Sequence, residues 1–466
     1  MEERAVMTTT SPPTSPLPID TRRTGQGRRR IPAAAAVAGA LLAGLVSASV
    51  LVLVVFAGGT EPVITGAALV GFACGWAVLA VATTRWTSQP QLWARVPALA
   101  MGATGVALLV TRPGNVVLTA AGWVWPLAAF ALALWMTRAV RRAATGGVRW
   151  LVCPAIGLVA AASVGGTFAT VTLALDHTRD QMPGAVYDVG GHRLHLTCTG
   201  TGSPTVVLEN GLNEVSPLWS AVVAQVSRTT RVCAYDRAGQ LWSDDVSRPR
   251  DGRAVAADLH VLLARAGEHG PYVLAGHSSG GTLAMTYAAR YPTQVAGMVL
   301  LDSSSPYQYT DQPDFAGTYS VMRRLLPVLP ALARVAVTRL MPESPSTALS
   351  RTAVAQVQAF ATSPRGARNM RDEQSELRTV FTQAQALTTF DPKPLAVVTA
   401  RENADGTKGW AAAQDRMAAL STNSTHWTAD TTHVGLLDDA TGSQDSVRAI
   451  TAVVSAIRTG TPLTGR

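Results

Sequence analysis

Long apolar runs without charged residues fill most of the first third of the chain. Because about 20 consecutive apolar residues cross a bilayer, we predict membrane spans over 33–57, 63–83, 96–111, 116–137 and 150–174. The third run is short. No span interior contains Asp, Glu, Lys or Arg, which argues against an ion path and hence against a transporter. The alternative for the first run is a cleaved signal peptide, although the run is longer than the apolar stretch of such peptides.

From about residue 184 the pattern changes to short apolar strands that alternate with amphipathic helices, which indicates a mostly parallel sheet. We predict two strands within 184–198 and further strands at 205–211, 231–237, 272–276, 297–302, 394–400 and 424–430. Helices are predicted at 253–267, 281–292 and 443–458. The residues between 302 and 394 are too many for a loop and are helical in pattern, so we interpret about 305–392 as an inserted helical cap.

Three regions therefore follow: a disordered basic tail over 1–30, a transmembrane region of about five helices over 31–175, and an α/β domain over 176–466. Residues 1–175 contain 13 Lys and Arg and 4 Asp and Glu, and the remaining residues contain 26 of each, so the whole net charge of +9 lies in the first part. Since these basic residues flank apolar segments, they indicate a membrane protein and not a nucleic-acid-binding protein.

The basic residues also predict an orientation. If five segments cross the membrane, twelve of the thirteen fall on one side, and the positive-inside rule makes that side cytoplasmic. The chain is then expected to be a multi-pass protein of the cell membrane, with a cytoplasmic N-terminus and an extracytoplasmic α/β domain.

One short stretch, AGHSSGGTLA at 275–284, carries candidate chemistry. It places Ser278 between Gly276 and Gly280, after the predicted strand and before the predicted helix. Strand, tight turn and helix are the context in which G-x-S-x-G presents a nucleophilic serine. The alternative interpretation is a plain glycine-rich turn.

Several blocks occur in an order that resembles the α/β-hydrolase fold family, specifically its serine esterase and lipase-like branch with a cap. These blocks are VVLENGL, CAYDRAG, GHSSGG, GMVLLDSSSP and a late His, and the resemblance covers about 184–458. It implies a mostly parallel eight-stranded sheet with a helical cap insertion. The chain departs from the family pattern in having Asn210 before Gly211, Leu241 where a second glycine is expected, and Thr432 before His433.

The resemblance implies a catalytic triad and an oxyanion hole. Ser278 would be the nucleophile, and His433 the base, because His426 falls inside a predicted strand. The acid would be Asp302, with Glu402 and Asp405 as alternatives; Asp302 could also simply cap the following turn. The backbone N–H groups of Leu212 and Ser279 would hold the oxyanion.

The expected function is hydrolysis of carboxylic esters through an acyl-enzyme, without a cofactor or a metal. A serine at position 278, and not an aspartate, argues against the haloalkane dehalogenase and epoxide hydrolase branches. The expected substrate is a small-molecule or lipid-like acyl ester, since the apolar cap segment 321–341 could be a simple cover or a lid that leans on the lipid bilayer. The alternatives are a peptidase or amidase of the same fold and a non-catalytic membrane-tethered binding module. The oligomeric state is left open.

The four cysteines fall into two pairs. In the topology that the resemblance implies, the strands of Cys198 and Cys233 are antiparallel neighbours, so we predict a disulfide between them; the alternative is two small buried residues. Cys74 and Cys153 lie in predicted spans and are expected to be packing residues.

Overall fold

The structure is a computed structural model of the whole chain, and it describes residues 1, 30–179, 182–341 and 346–463. The tail predicted over 1–30 lies outside these residues except at its two ends. The N-terminal helices are α1 (Ala33–Val50, continued by a π-helical turn, Leu51–Val55), α2 (Glu61–Trp86), α3 (Arg95–Thr111), α4 (Asn115–Ala121), α5 (Trp125–Ala143) and α6 (Gly147–Arg179). By length and composition, four helices can cross a membrane, or five if α4 and α5 form one span.

The fourth predicted span is wrong as a single helix. The chain bends by 47° between α4 and α5. Gly122 lies in the break and Pro126 in the first turn of α5. Both residues favour such an interruption, because glycine weakens a helix and proline suits a helix start.

Small residues let the N-terminal helices approach one another closely. A β-carbon on Gly75 would lie 2.6 Å from the α-carbon of Gly44, and one on Gly66 would lie 2.7 Å from the carbonyl oxygen of Gly105. Such glycine contacts are typical of helix packing in membranes. Cys74 and Cys153 are exposed, so their prediction as packing residues is wrong. Glycine and alanine make these contacts instead.

The C-terminal part contains one eight-stranded sheet in the order β1-β2-β4-β3-β5-β6-β7-β8. The strands are β1 (Ala185–Asp188), β2 (Arg193–Thr199), β3 (Val206–Glu209), β4 (Val232–Asp236), β5 (Tyr272–His277), β6 (Val295–Leu301), β7 (Leu395–Ala400) and β8 (Ser424–Ala429). Strand β2 is antiparallel to β1 and β4, and the remaining pairs are parallel. The predicted α/β fold, with apolar helices before it, is confirmed.

Helices cover both faces of the sheet. They are α7 (Ser220–Val226), α8 (Gly252–Arg265), α9 (Ser279–Arg290), α15 (Arg401–Gly406), α16 (Trp410–Ala418), α17 (Gly435–Asp438) and α18 (Gly442–Thr459). One core packs α8 and α9 on the sheet, and the other packs α7 and α18 on the opposite face. Parallel strands buried on both faces explain the nearly continuous apolar runs in the sequence.

A helical insertion, called the cap below, separates β6 from β7. It contains α10 (Gln308–Asp311), α11 (Phe315–Leu325), α12 (Leu329–Arg334), α13 (Arg351–Ala361) and α14 (Pro364–Ala384). The cap contacts the N-terminal helices, because α12 packs against α2 and α6. It therefore lies between the catalytic candidates and the apolar helices.

The Cys198–Cys233 disulfide is present and joins β2 to β4. The two residues are directly paired in the antiparallel register of these strands. This pairing is the one that the family resemblance implies.

Candidate active site

Ser278 lies at the turn between β5 and α9, with φ 55° and ψ −127°. A non-glycine residue rarely adopts a positive φ, and such strain is common at functional sites. The two glycines are required by packing. A β-carbon on Gly280 would lie 2.3 Å from the carbonyl oxygen of Glu209, and one on Gly276 would lie 2.6 Å from the backbone of Gly280. The G-x-S-x-G spacing thus lets β5 and α9 meet closely on either side of Ser278.

His433 lies in the loop after β8, and its Nδ1 is 2.6 Å from Oδ2 of Asp302. Asp302 directly follows β6, is completely buried and also has a positive φ, 43°. Its carboxylate accepts three further hydrogen bonds, from the backbone N–H of Ala400 (3.0 Å), from Asn403 Nδ2 (2.6 Å) and from Trp410 Nε1 (2.7 Å). These donors hold the buried carboxylate in one orientation, with Oδ2 directed at the His433 ring, as the acid that orients a catalytic histidine requires.

The two alternative acids occupy other places. Glu402 accepts the backbone N–H of His433 at 2.7 Å, so it fixes the loop and not the imidazole ring. Asp405 is exposed at the surface of α15. Of the three candidates, Asp302 is therefore the carboxylate in contact with the His433 ring.

A hydrogen bond through Nδ1 leaves Nε2 of His433 as the nitrogen that would accept a proton. Among the described residues, Ser278 and His433 make no hydrogen bond to each other. Catalytic hydrogen bonds are often long before a substrate binds. The two residues are nonetheless neighbours through His277, which precedes Ser278 and whose ring centroid is 4.5 Å from that of His433.

The predicted oxyanion donors, Leu212 and Ser279, line one cavity of about 240 Å³ together with Ser278. Within the described part of the chain, neither backbone N–H donates to a protein acceptor. Ser279 is the first residue of the 12-residue helix α9, whose N-terminal N–H groups are directed away from the helix. Two free donors beside a serine are what an oxyanion hole requires.

His277 is a functional candidate that the sequence analysis missed. Its Nδ1 is 2.6 Å from Glu214 Oε1, and its Nε2 is 2.9 Å from the carbonyl oxygen of His433. Both contacts are with acceptors, an arrangement that favours the imidazolium form, in which both ring nitrogens carry hydrogen. Burial alone would lower the pKa of His277, but the Glu214 carboxylate raises it above the ordinary value.

Glu214 completes this arrangement. Burial would raise its pKa, but His277 lowers the pKa of Glu214 below its ordinary value. Its second oxygen accepts the N–H of Gly211 at 2.5 Å. The loop after β3, residues 210–215, contains the candidate oxyanion donor Leu212 and is called the oxyanion loop below. The ion pair thus links the oxyanion loop to the loop of His433. The residues are 63 positions apart, and no local signal in the sequence indicates the pairing.

A second missed group, Arg237 and Glu373, holds the oxyanion loop from the other side. Arg237 donates to the carbonyl oxygens of Asn210 (2.6 Å) and Gly211 (2.8 Å), and it pairs with Glu373 of α14 at 2.7 Å. Glu373 also accepts the N–H of Asn213 at 2.7 Å. The cap therefore contributes a side chain that fixes the loop before the predicted donor Leu212.

Asn210, which departs from the family pattern, serves this same network. It donates to the Tyr235 carbonyl oxygen at 2.9 Å and to Gln240 Oε1 at 3.0 Å, and it accepts from Trp219 Nε1 at 2.9 Å. Every polar atom of the buried Asn210 side chain thus has a partner. The departure is compatible with an ordered oxyanion loop.

The cavity beside Ser278 is largely apolar. The side chains that make it apolar are Leu212, Phe315, Tyr319, Met322, Leu377, Phe381 and Trp410. Most of them come from α11 and α14 of the cap. A smaller adjacent cavity of about 50 Å³ shares Leu212, Ser279 and Leu377 with it and is lined by more charged residues. The larger cavity is the one that reaches the candidate nucleophile.

Comparison with known proteins supports the fold. Residues 204–335 match the family model described as alpha/beta hydrolase fold. An uncharacterised protein from Schizosaccharomyces pombe is 31% identical over 172 residues, which are 30% of this chain and 32% of that protein. The putative carbamate hydrolase RutD from Pseudomonas savastanoi is 31% identical over 137 residues, 29% of this chain and 50% of that protein.

A solved haloalkane dehalogenase variant from Bradyrhizobium elkanii is similar over 59% of this chain and 97% of its own, with 17% identity and a TM-score of 0.47. The chain spans half or less of the two curated relatives named above. The family match and the observed strand order together show that the C-terminal part of this chain has the α/β-hydrolase fold.

Proposed function

We propose that the protein is a membrane-anchored serine hydrolase that cleaves carboxylic esters through an acyl-enzyme. The observation that carries this proposal is the contact of His433 with buried Asp302, beside a strained Ser278 with two free N–H donors. In this proposal, Ser278 attacks the acyl carbonyl while His433 takes its proton. The N–H groups of Leu212 and Ser279 stabilise the oxyanion. His433 then gives this proton to the alcohol oxygen as the ester C–O bond breaks, which leaves the acyl-enzyme and the free alcohol. Water hydrolyses the acyl-enzyme, with His433 again acting as base and Ser278 regaining its proton.

The candidate nucleophile favours an acyl substrate over an alkyl halide among the substrates of this fold. A relative is named a carbamate hydrolase and a structural neighbour a haloalkane dehalogenase. Position 278 is a serine, whose attack on an acyl carbonyl gives a hydrolysable acyl-enzyme. A peptidase or amidase would use the same groups, and a comparison of matched ester and amide substrates separates these possibilities.

We further propose that the catalytic domain lies outside the cytoplasm. Among the described residues, the arginines in the last turns of α2 and α5 lie at one end of the helices, where the Ile31 N–H donates to the Trp86 carbonyl oxygen and Gln91 donates to the carbonyl oxygen of Ala143. The cap contacts the other end, near Glu61. The positive-inside rule then assigns the arginine-rich end to the cytoplasm. A disulfide in the catalytic domain suits an oxidising compartment.

The decisive test is labelling of intact cells with a membrane-impermeant fluorophosphonate probe, which reacts with activated serines. We expect labelling of the wild type and none of Ser278→Ala. Labelling that requires cell lysis would support the serine hydrolase proposal but contradict the proposed extracytoplasmic position of the domain. Equal labelling of both proteins would exclude Ser278 as the nucleophile. No labelling and no ester hydrolysis would favour the non-catalytic binding module.

A further inference from the structure

Besides its contacts at the starts of α2 and α4, the cap contacts α6 within its apolar segment. A β-carbon on Gly165 of α6 would lie 2.2 Å from the carbonyl oxygen of Val335, which follows α12. Gly165 precedes Leu175, where the apolar segment of α6 ends, by ten residues, or roughly 15 Å along a helix. Arg334, which precedes Val335, pairs with Glu61 at the start of α2. The segment around Val335 therefore contacts the apolar part of α6 close to the ends of the membrane-span candidates that face the cap.

The same part of the cap exposes large apolar side chains. They are Val321, Met322, Leu325, Val337, Leu340 and Met341. Leu340 is 83% exposed, which is unusual for a leucine within a folded domain. A group of exposed apolar side chains marks a surface that contacts another apolar phase. Because the neighbouring helices α2 and α6 are themselves membrane-span candidates, that phase is the bilayer.

Helix α11 also carries two arginines at the level expected for lipid head groups. A β-carbon on Gly58, in the loop between α1 and α2, would lie 3.9 Å from Nε of Arg323. Arg324 follows it in the last turn of α11. A short loop between two spans lies near the membrane surface, where basic side chains attract anionic lipid head groups. Helix α11 thus lies along the boundary between lipid and water.

One face of α11 lines the cavity of Ser278, and the other is exposed beside the N-terminal helices. Phe315 and Tyr319 line the cavity, whereas Val321 and Leu325 are exposed. Met322 belongs to both, since it lines the cavity and is 41% exposed. It therefore lies at the mouth of the cavity. This mouth is close to the end of α1, because α11 contacts the π-helical turn Leu51–Val55.

The size of the cavity indicates that a substrate is only partly enclosed. Its volume, about 240 Å³, is below the roughly 300–1,000 Å³ of pockets that enclose small molecules. Its apolar lining suits an acyl chain, and the Ser278 end carries the polar groups that would hold an ester carbonyl.

We propose that the substrate is an amphiphilic ester that enters from the bilayer past Met322, with part of its acyl chain remaining in the lipid. This inference rests on the proposed serine hydrolase function. It differs from entry of a small ester from water, for which an exposed apolar face beside membrane-span candidates has no use.

The test uses the full chain in nanodiscs that contain anionic phospholipid. Two substrates are compared: p-nitrophenyl acetate, which is soluble in water, and a long-chain p-nitrophenyl ester dissolved in the bilayer. The variant Leu325→Asp places a charge on the exposed face of α11 without touching the cavity lining. The control Ser455→Asp places the same charge on α18, towards its C-terminal end, where Arg458 contacts the loops that precede β3 and β4.

We expect Leu325→Asp to lower the rate on the bilayer ester at least tenfold, with the acetate rate and the Ser455→Asp variant unchanged. Equal rates of Leu325→Asp and wild type on the bilayer ester would overturn bilayer entry and leave the hydrolase intact. Wild-type activity on p-nitrophenyl acetate but not on the bilayer ester would also overturn bilayer entry and leave the hydrolase proposal intact. Loss of both rates in Leu325→Asp, with reduced thermal stability, calls for Val321→Asp as the second variant, which must meet the same criterion. No activity of the wild type on either ester, and no probe labelling, would overturn the proposed function itself.

Discussion

At the scale of single residues, the buried carboxylate of Asp302 has four donors around it, and one of them is the His433 ring. An amide in its place would direct an NH₂ group at some of these donors. It would also remove the charge that stabilises the histidine cation. These contacts therefore favour Asp302 over Glu402 and Asp405, the two alternative acids predicted from the sequence.

We expect Asp302→Asn to lower kcat for ester hydrolysis by roughly 10⁴-fold, the effect known for loss of a triad acid. Glu402→Gln, which keeps an acceptor for the His433 backbone, and Asp405→Asn are the matched controls, and each should stay within about threefold of the wild type. The measurement is kcat together with the rate of fluorophosphonate labelling. If Glu402→Gln falls as far as Asp302→Asn, the assignment of the acid is wrong.

His277 contributes through its charge, so its effect depends on pH. Its pKa is raised above the ordinary 6.5, so its stabilising contribution is complete below pH 6.5 and is lost as the pH rises through the raised pKa. Glu214 has a pKa below its ordinary 4.5, and its contribution is lost only as the pH falls through that lowered value. The ion pair is therefore complete between about pH 4.5 and 6.5.

For His277→Gln we expect a lower Tm below pH 6.5 and a smaller decline of Tm between pH 6.5 and 9 than in the wild type. We also expect a kcat roughly tenfold lower with little change in KM, because His277 positions the His433 loop without contacting substrate. Thermal unfolding in nanodiscs across this pH range checks the first expectation. His269→Gln, an exposed position, is the control. Parallel pH profiles of His277→Gln and wild type would show that the imidazolium does not stabilise the loop.

At the scale of elements, helix α14 of the cap and the oxyanion loop are joined by one carboxylate. Glu373 pairs with the buried Arg237 and accepts the N–H of Asn213, so it fixes both sides of the loop. A cap that only covered the site would not need this contact. The cap thus also supports the loop that contains Leu212, one of the two candidate oxyanion donors.

We expect Glu373→Gln to lower kcat roughly tenfold, less than the direct loss of an oxyanion donor, with a smaller effect on KM. Loss of its charged partner also leaves Arg237 buried without full compensation, which should destabilise the protein by about 2 kcal/mol. Steady-state kinetics and thermal unfolding measure the two effects. The matched control is Glu376→Gln, three residues further along α14. If kcat of Glu373→Gln is unchanged and only its stability is lower, Glu373 stabilises the fold and does not position the oxyanion loop for catalysis.

At the scale of the whole molecule, the sequence predicts the parts better than their arrangement. The strand, turn and helix around Ser278 are readable because the glycines and the apolar run are local. The order of the blocks places His433 after the last strand and Asp302 after the sixth. The pairing of His277 with Glu214 is not readable, because it depends on how two loops meet across the sheet. The bend between α4 and α5 was also missed, because the apolar pattern continues through Gly122.

Contacts between the N-terminal helices and the cap are the feature that the sequence predicts least. Glu61 is the one acidic residue in the chain between residues 21 and 175. The structure buries it at the start of α2, in ion pairs with Arg334 and with Arg368, the latter at 3.2 Å. These partners are 273 and 307 residues away along the chain, so no pattern could indicate them.

This cluster couples the two halves of the molecule. Arg368 also pairs with Asp245 at 3.1 Å, and Asn115, at the start of α4, donates to Asp245 at 3.0 Å and accepts from Arg334 at 3.2 Å. The starts of α2 and α4 therefore hold α12 and α14 of the cap. If substrate enters between the N-terminal helices and the cap, these ion pairs around Glu61 set the position of the cap over Ser278.

We expect Glu61→Gln to loosen this junction, because it leaves two largely buried arginines with one fewer negative partner, at a cost of about 3 kcal/mol. The Tm in nanodiscs should fall, and amide hydrogen exchange should increase in α12 more than in β5 or β6. Asp314→Asn removes the same charge from an exposed position in the cap and is the control. Hydrolysis of the bilayer ester should decline more than hydrolysis of p-nitrophenyl acetate, since only the former depends on where the cap meets the lipid. Exchange that increases equally in the sheet and in α12 would mean that Glu61 stabilises the fold as a whole and does not position the cap.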